Sequence, residues 1–283
     1  MDVEQPINLN EQIAAKEKNH DHDFSSYLIT HLPTIARTVP LAREILSSSS
    51  KGENRSLADD MLRLNEIYKT PIDVEGQENI PPEGGFIFAV SHTSTELGFP
   101  GWKDKDVNPL WILAGMSKGY KEIRGGNADF RLIAVDPTSI SKRAGALVRR
   151  TLHTYNGFPI NKFNPRKALE TIDEAKRAVA NEDVLIISPE GQDSTEAVMA
   201  KRGIARLAET GKPVVPVAFV EEFTYGSYKH TVKFGEPIIF DGAESLSSLP
   251  RSEVRTKEIE FADKVGHAIA SLLPEDMRGV YSQ

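Results

Sequence analysis

Apolar positions along the chain fall into two patterns. Short apolar runs bounded by Gly, Pro or charged residues recur from residue 72 onward: Ile72-Asp73-Val74-Glu75-Gly76, Phe86–Val90, Leu132–Val135, Phe158–Ile160, Val184–Ile187 and Val214–Val220. Runs of that length, rich in β-branched and aromatic residues, predict buried strands. Thr231 to Phe240 predicts a further strand, pairing at an edge of the sheet.

Between the strands the spacing turns helical. Leu57 to Tyr68 predicts a helix, as does Ser139 to His153 with Ala144, Leu147, Val148 and Leu152 along one side. Asn164 is a natural N-cap and Pro165 suits the first helical position, with Leu169, Ile172, Ala175 and Val179 as the buried stripe that follows. Ala200 to Thr210 predicts a helix stopped by Gly211 and Pro213. Ser252 to Leu273 predicts a closing helix ended by Pro274. Residues 97–130 read as irregular, with an apolar patch at Leu110-Trp111-Ile112-Leu113. Strands alternating with helices predict an α/β fold: a mixed, largely parallel central sheet flanked by helices.

The N-terminal part follows neither pattern cleanly. Residues 1–23 are polar and predict a disordered tail, with His20-Asp21-His22-Asp23 read as solvated rather than metal-binding. In the N-terminal helical segment, 24–70, Leu28, Ile29, Leu32, Ile35, Ala36, Val39, Ile45 and Leu46 predict two short helices interrupted at Pro33 and Pro40. They either pack on the body or lie on a bilayer with Arg37 and Arg43 at the headgroups. Ser47 to Gly52 reads as a linker. Residues 71–283 form the α/β domain.

Composition narrows the chemistry. The 283 residues are 39% hydrophobic and 27% charged, an ordinary globular mixture. A net charge of −7 argues against a nucleic-acid partner. With no cysteine there is no thiolate nucleophile or thiolate metal site, and no metal is expected. No apolar run reaches membrane-spanning length and no signal peptide is visible, so the expected location is cytoplasmic, with peripheral contact on the inner face of the membrane left open. There is no G-x-S-x-G elbow, Walker loop or G-x-G-x-x-G.

Two strand ends carry candidate chemistry. The Val184–Ile187 run stops at Ser188-Pro189-Glu190-Gly191, which predicts a tight turn bearing an exposed carboxylate at a strand tip. Ligands of open α/β sheets bind at such tips. The Phe86–Val90 run ends in Ser91-His92, with Glu96 four residues after the His. If a helix starts there, the two share a face, and a His oriented by an acid can deprotonate a substrate hydroxyl. A structural His is the alternative at this point.

In order along the chain, Ser91-His92, Gly157-Phe158-Pro159-Ile160-Asn161-Lys162, Ser188-Pro189-Glu190-Gly191-Gln192-Asp193-Ser194 with Lys201-Arg202-Gly203, and Val214-Val215-Pro216-Val217 resemble the four motif blocks of the glycerolipid and lysophospholipid acyltransferase family. The resemblance runs from about Ile72 to Pro237. It implies transfer of a fatty acyl group from acyl-CoA or acyl-carrier protein, a co-substrate rather than a cofactor, to a hydroxyl of a lipid acceptor such as a lysophospholipid or glycerol-3-phosphate. It implies His92 as general base with Glu96 orienting it, and Lys162, Glu190, Gly191, Lys201 and Arg202 around the acceptor. Solvated side chains at the start of a helix are the alternative reading of Lys201 and Arg202.

The chain departs from the family pattern at three positions. Leu97 stands where the family has Asp, so the acid is Glu96, or one of Asp104, Asp106 and Asp129. Asp193 and Lys162 each stand where Arg is usual. A carboxylate at 193 would repel a phosphate, and Lys offers a point charge in place of a fork. These departures leave room for a non-phosphorylated acceptor, a non-catalytic lipid-binding homologue, or thioester hydrolysis. In segment 97–130, Phe99, Trp102, Trp111, Ile112, Leu113 and Met116 either line an acyl-chain slot or simply pack, with packing favoured for 111–116.

Overall fold

The computed structural model describes residues 36–91, 108–136, 142–161, 163–191, 196–224, 227–241, 246 and 248–282. Residues 36–51 are helical (α1), followed by α2 (Leu57–Tyr68), β1 (Ile72–Glu75), β2 (Phe86–Val90), α3 (Asn108–Arg124), β3 (Arg131–Val135), α4 (Lys142–Thr154), β4 (Phe158–Ile160), α5 (Pro165–Ala180), β5 (Val184–Ile187), α6 (Gly203–Ala208), β6 (Val214–Thr224), β7 (Ser227–Phe234) and α7 (Arg251–Leu272).

Among the described residues the strands form one seven-stranded sheet in the order β1-β7-β6-β2-β5-β3-β4. All neighbours are parallel except the β6–β7 hairpin. β2 is central, with every side chain buried, as its unbroken apolar run requires. Phe86, Phe88 and Val90 point to the layer built from α2 and α3. Ile87 and Ala89 point to the layer built from α5, α6 and α7. The expected mixed, largely parallel α/β architecture is what forms.

Four local expectations change. α1 continues through the serine run expected to be a linker and ends at Gly52, in the left-handed region at φ 71°. Ser48 and Ser49 are buried and Ser50 Oγ donates to the Leu46 carbonyl at 2.8 Å, so packing overrides an indifferent helix propensity. The irregular segment contains the 17-residue helix α3. Its glycines are contact positions: a Cβ on Gly115 would lie 2.4 Å from Val232 Cγ2, and one on Gly119 would lie 3.0 Å from both the Phe234 ring and Val74 Cγ1. Trp111, Ile112, Leu113 and Met116 belong to the same core as Phe88. β7 is interior, not an edge strand, because β1 pairs outside it. Leu169, expected in the buried stripe of α5, is exposed, whereas Ile172, Ala175 and Val179 are buried.

The helices joining the N-terminal part to the body are tied by a polar cluster. Asp60 is 2% exposed and accepts two hydrogen bonds from Arg55, at 2.7 and 2.6 Å, and one from Tyr155 Oη at 2.9 Å. Arg55 also reaches Glu44 on α1. Burial foremost, and then the Asp60 carboxylate, push the Tyr155 phenol well above its ordinary range.

Candidate functional site

The two candidate strand tips adjoin: β2 and β5 are adjacent and parallel, so their C-terminal ends lie side by side. Beyond Val90 the strand is held once more: Ser91 N donates to Val217 O at 2.9 Å, and Ser91 Oγ accepts from Phe219 N at 3.4 Å. Ser91 is fully buried at the centre of the sheet. His92, Glu96 and Lys162 themselves lie outside the described residues, as do Asp104, Asp106 and Asp193.

On the neighbouring strand, Ile187 leads into Ser188, Pro189 and Glu190, and Gly191 turns in the left-handed region at φ 64°. The chain then returns to its own tip: Lys201 N donates to Pro189 O at 2.8 Å. That bond is made outside the helix, which is why α6 begins at Gly203 and not near Ala200. Lys201 Nζ stands 2.9 Å from the place a Cβ on Gly191 would occupy. The exposed Lys201 and the bare Gly191 turn are therefore adjacent.

Two expectations fare differently. Glu190 was expected as an exposed carboxylate and is 2% exposed. It lies near the phenol of Tyr281, whose pKa is pushed up by burial first, then held down by its hydrogen bond from Ala200 N, then raised by Asp263 and Glu190. Arg202 is engaged by the protein itself: its guanidinium donates to Glu258 Oε2 at 2.9 Å, while Arg206 Nε donates to Glu258 Oε1 at 3.2 Å. Glu258 is 3% exposed, so this is a partly buried ion triad joining α6 to α7.

Asp129, the alternative acid, sits toward the end of the sheet opposite Ser91. It precedes β3, and Arg131 is level with Leu185 and hence with Ile87, at the start of β2. About 13 Å of strand separates that level from Ser91. Asp129 accepts from Ala58 N at 3.1 Å, at the N-terminus of α2.

Tyr281 and Glu258 reach this loop without any local sequence signal. Ser188 Oγ is buried and has no hydrogen-bond partner among the described residues. A cavity of about 620 Å³ is lined by Phe234, Gly235, Pro237, Ile238, Asp241 and Lys264, along the segment that runs from the end of β7 to the Ile238 bridge with the first residue of β6. Among the described residues no group of His, Asp and Glu is placed to hold a metal, and no helix is long and apolar enough to cross a membrane.

A mostly parallel seven-stranded sheet, with a Pro-Glu-Gly turn beside a lysine at the tip of β5, defines an α/β protein whose candidate residues gather at the sheet's C-terminal edge. A family model described as Acyltransferase matches residues 71–220, from β1 through most of β6. The chain belongs to this family, the glycerolipid acyltransferases. The 1-acyl-sn-glycerol-3-phosphate acyltransferase of Bacillus subtilis (strain 168) is 25% identical over 174 residues, covering 59% of this chain and 73% of that protein. The crystal structure of the 1-acyl-sn-glycerophosphate (LPA) acyltransferase PlsC from Thermotoga maritima aligns over 89% of this chain and 95% of its own at 21% identity, with a TM-score of 0.49.

Proposed function

We propose that the protein moves a fatty acyl group from an acyl-CoA or acyl-carrier protein thioester to the free hydroxyl of a 1-acyl-glycerol-3-phosphate-type acceptor. The observation that supports this most is the meeting of the β2 and β5 tips, with Ser91 anchored beside the Gly191 turn and Lys201 over it. The acceptor named for the Bacillus relative fits a site with an ammonium at its rim.

In this reading His92 accepts the proton of the acceptor hydroxyl as its oxygen attacks the thioester carbonyl. The tetrahedral intermediate collapses, the C–S bond breaks, and the departing sulfur takes the proton back from His92. Glu96 holds the imidazole in the productive tautomer. A glutamate one position early has a longer reach than the aspartate it replaces, by roughly 1.5 Å. The protein would work at the inner face of the membrane, where such acceptors reside.

A second reading, a non-phosphorylated acceptor, is favoured by one specific observation. Arg202 is committed to Glu258, which leaves Lys201 as the exposed cation at this tip among the described residues. The test for both is acyl transfer followed by mass spectrometry, with either thioester donor and with lysophosphatidate or monoacylglycerol as acceptor. Product from lysophosphatidate that vanishes in His92→Ala is expected. Full activity in His92→Ala, or no product with any acceptor, sinks the proposal, and product from monoacylglycerol alone moves it to the second reading.

A further inference from the structure

The last residues of the chain fold back onto the β5 tip. Pro274 ends the C-terminal helix, and two 3-10 turns, Glu275–Met277 and Gly279–Tyr281, carry the chain to the loop that follows Gly191. Ala197 N donates to Met277 O at 2.9 Å, and Val280 N donates to Ala197 O at 3.1 Å, so one loop residue is held on both its backbone groups. Gly279 makes that contact possible. It sits at φ 51°, and a Cβ there would come within 2.1 Å of Ala197 O.

Three residues on, Ala200 N donates to the phenol oxygen of Tyr281 at 3.1 Å, in a buried setting. The Tyr281 ring reaches this point through a notch in α7: a Cβ on Gly266 would lie 2.0 Å from the phenol oxygen. The next residue in the loop is Lys201, whose amide closes on Pro189 O. The amides of Ala197, Ala200 and Lys201 are thus all engaged, the first two by the C-terminal strap and the third by the strand tip itself.

We infer that Tyr281 is a positioning residue for the acceptor site: its phenol oxygen pins the Ala200 amide, and this sets Lys201 over the Gly191 turn, where its ammonium meets an anionic group of the acceptor. This rests on the acyl-transfer reading above. A lysine side chain is flexible, so its mean position depends on how firmly its backbone is held. Tyr281 also packs against Ala218, Val220 and Ala270, a filling role that phenylalanine would preserve. The hydroxyl is what separates the two roles.

The test uses the full chain with Tyr281→Phe, Gly266→Ala, Lys201→Ala and the Tyr281→Phe/Lys201→Ala double variant. Losing one hydrogen bond of ordinary strength corresponds to roughly 5- to 10-fold. Tyr281→Phe is therefore expected to raise KM for lysophosphatidate by about that factor. Its kcat, and its KM for an uncharged monoacylglycerol, stay close to wild type. Gly266→Ala, which drives the ring from its notch, moves KM the same way. In the Lys201→Ala background Tyr281→Phe has no further effect on KM. An equal change for both acceptors, no change for lysophosphatidate, or multiplicative effects in the double variant overturn the inference.

Amide hydrogen exchange across residues 197–201 supplies a readout independent of turnover. Faster exchange in Tyr281→Phe supports the strap, and unchanged exchange overturns it. Should the wild-type chain transfer acyl groups to neither acceptor, the proposed function falls, and this exchange measurement alone decides the strap.

Discussion

Lys201 Nζ stands 2.9 Å from the point where Gly191 would carry a Cβ, so the tightest turn of the site and its exposed cation occupy the same space. Gly191 is needed twice, for its φ of 64° and for the room it leaves. Gly191→Ala is expected to cost about 1 kcal/mol from backbone strain. The lysine end can swing aside, so the larger effect falls on the reaction. Acyl-transfer kcat/KM should drop by more than the shift in urea midpoint accounts for. A loss of activity that merely tracks the unfolded fraction would contradict the shared-space geometry.

The neighbouring Arg202 should behave as a structural cation. Replacing Glu258 by Ala removes two charge-assisted hydrogen bonds between α6 and α7 and should lower stability by about 2 kcal/mol. Arg202→Ala should lower it less, since Arg206 still holds Glu258. In acyl-transfer assays Arg202→Ala should raise acceptor KM less than Lys201→Ala does. Urea unfolding of the three variants, alongside KM, checks both halves.

Asp60 is the keystone of the junction between α1, α2 and α4. Asp60→Ala leaves the Arg55 guanidinium, only 18% exposed, without its buried partner, and the expected loss is about 3 kcal/mol. Tyr155→Phe removes one hydrogen bond to the same carboxylate and should cost about 1 kcal/mol. The junction residues around 50–56 should become the first site of limited proteolysis in Asp60→Ala. Cleavage elsewhere, with the same pattern as wild type, would show that the cluster does not hold α1 down.

Asp129 gives a pH signature of definite sign. Burial raises its pKa above the ordinary value of 3.8, against the hydrogen bonds from Ala58 and Phe130 that lower it. A carboxyl raised in the folded state binds its proton more tightly there than in the unfolded chain. Its contribution is therefore complete below pH 3.8 and is lost as pH rises through the folded value. Asp129→Asn keeps an oxygen for the Ala58 amide and removes the charge. Its stability should gain on wild type as pH is raised above 3.8, with the gain levelling off once Asp129 is ionised in both states. Chemical denaturation across that range reads the difference directly.

The strands were legible because each is an apolar run whose periodicity survives any packing arrangement. β2, β4 and β5 fall where their runs predict. α5 begins at its Asn164 cap, whose Oδ1 accepts from Lys167 N at 3.2 Å, because a cap is a local interaction. Features that depend on distant partners were not legible. Gly115 and Gly119 look like helix breakers until Val232, Phe234 and Val74 are laid against them. Glu190 looks exposed from its place on a turn and is buried in the fold. At the site, Gly191 and Lys201 both lie within the motif block and are adjacent in the fold. The pairing of Arg202 with Glu258 is not legible there, since Glu258 is carried by a helix that the motif does not include.

The place of β1 in the sheet has a consequence for how the chain is made. β1 touches the sheet through β7 alone, Ile72 against His230 and Glu75 against Lys233. β2 likewise waits for Val184 and Val214 to supply its flanks. During synthesis the N-terminal helices and the first two strands thus emerge with no partners to pair with, and the sheet closes only when nearly the whole chain is available. Such distant pairings make folding slow and leave β2, wholly apolar, open to wrong associations in the meantime. For this protein the vulnerable interval is translation itself, and a chain stalled before residue 214 leaves one edge of its central strand unpaired.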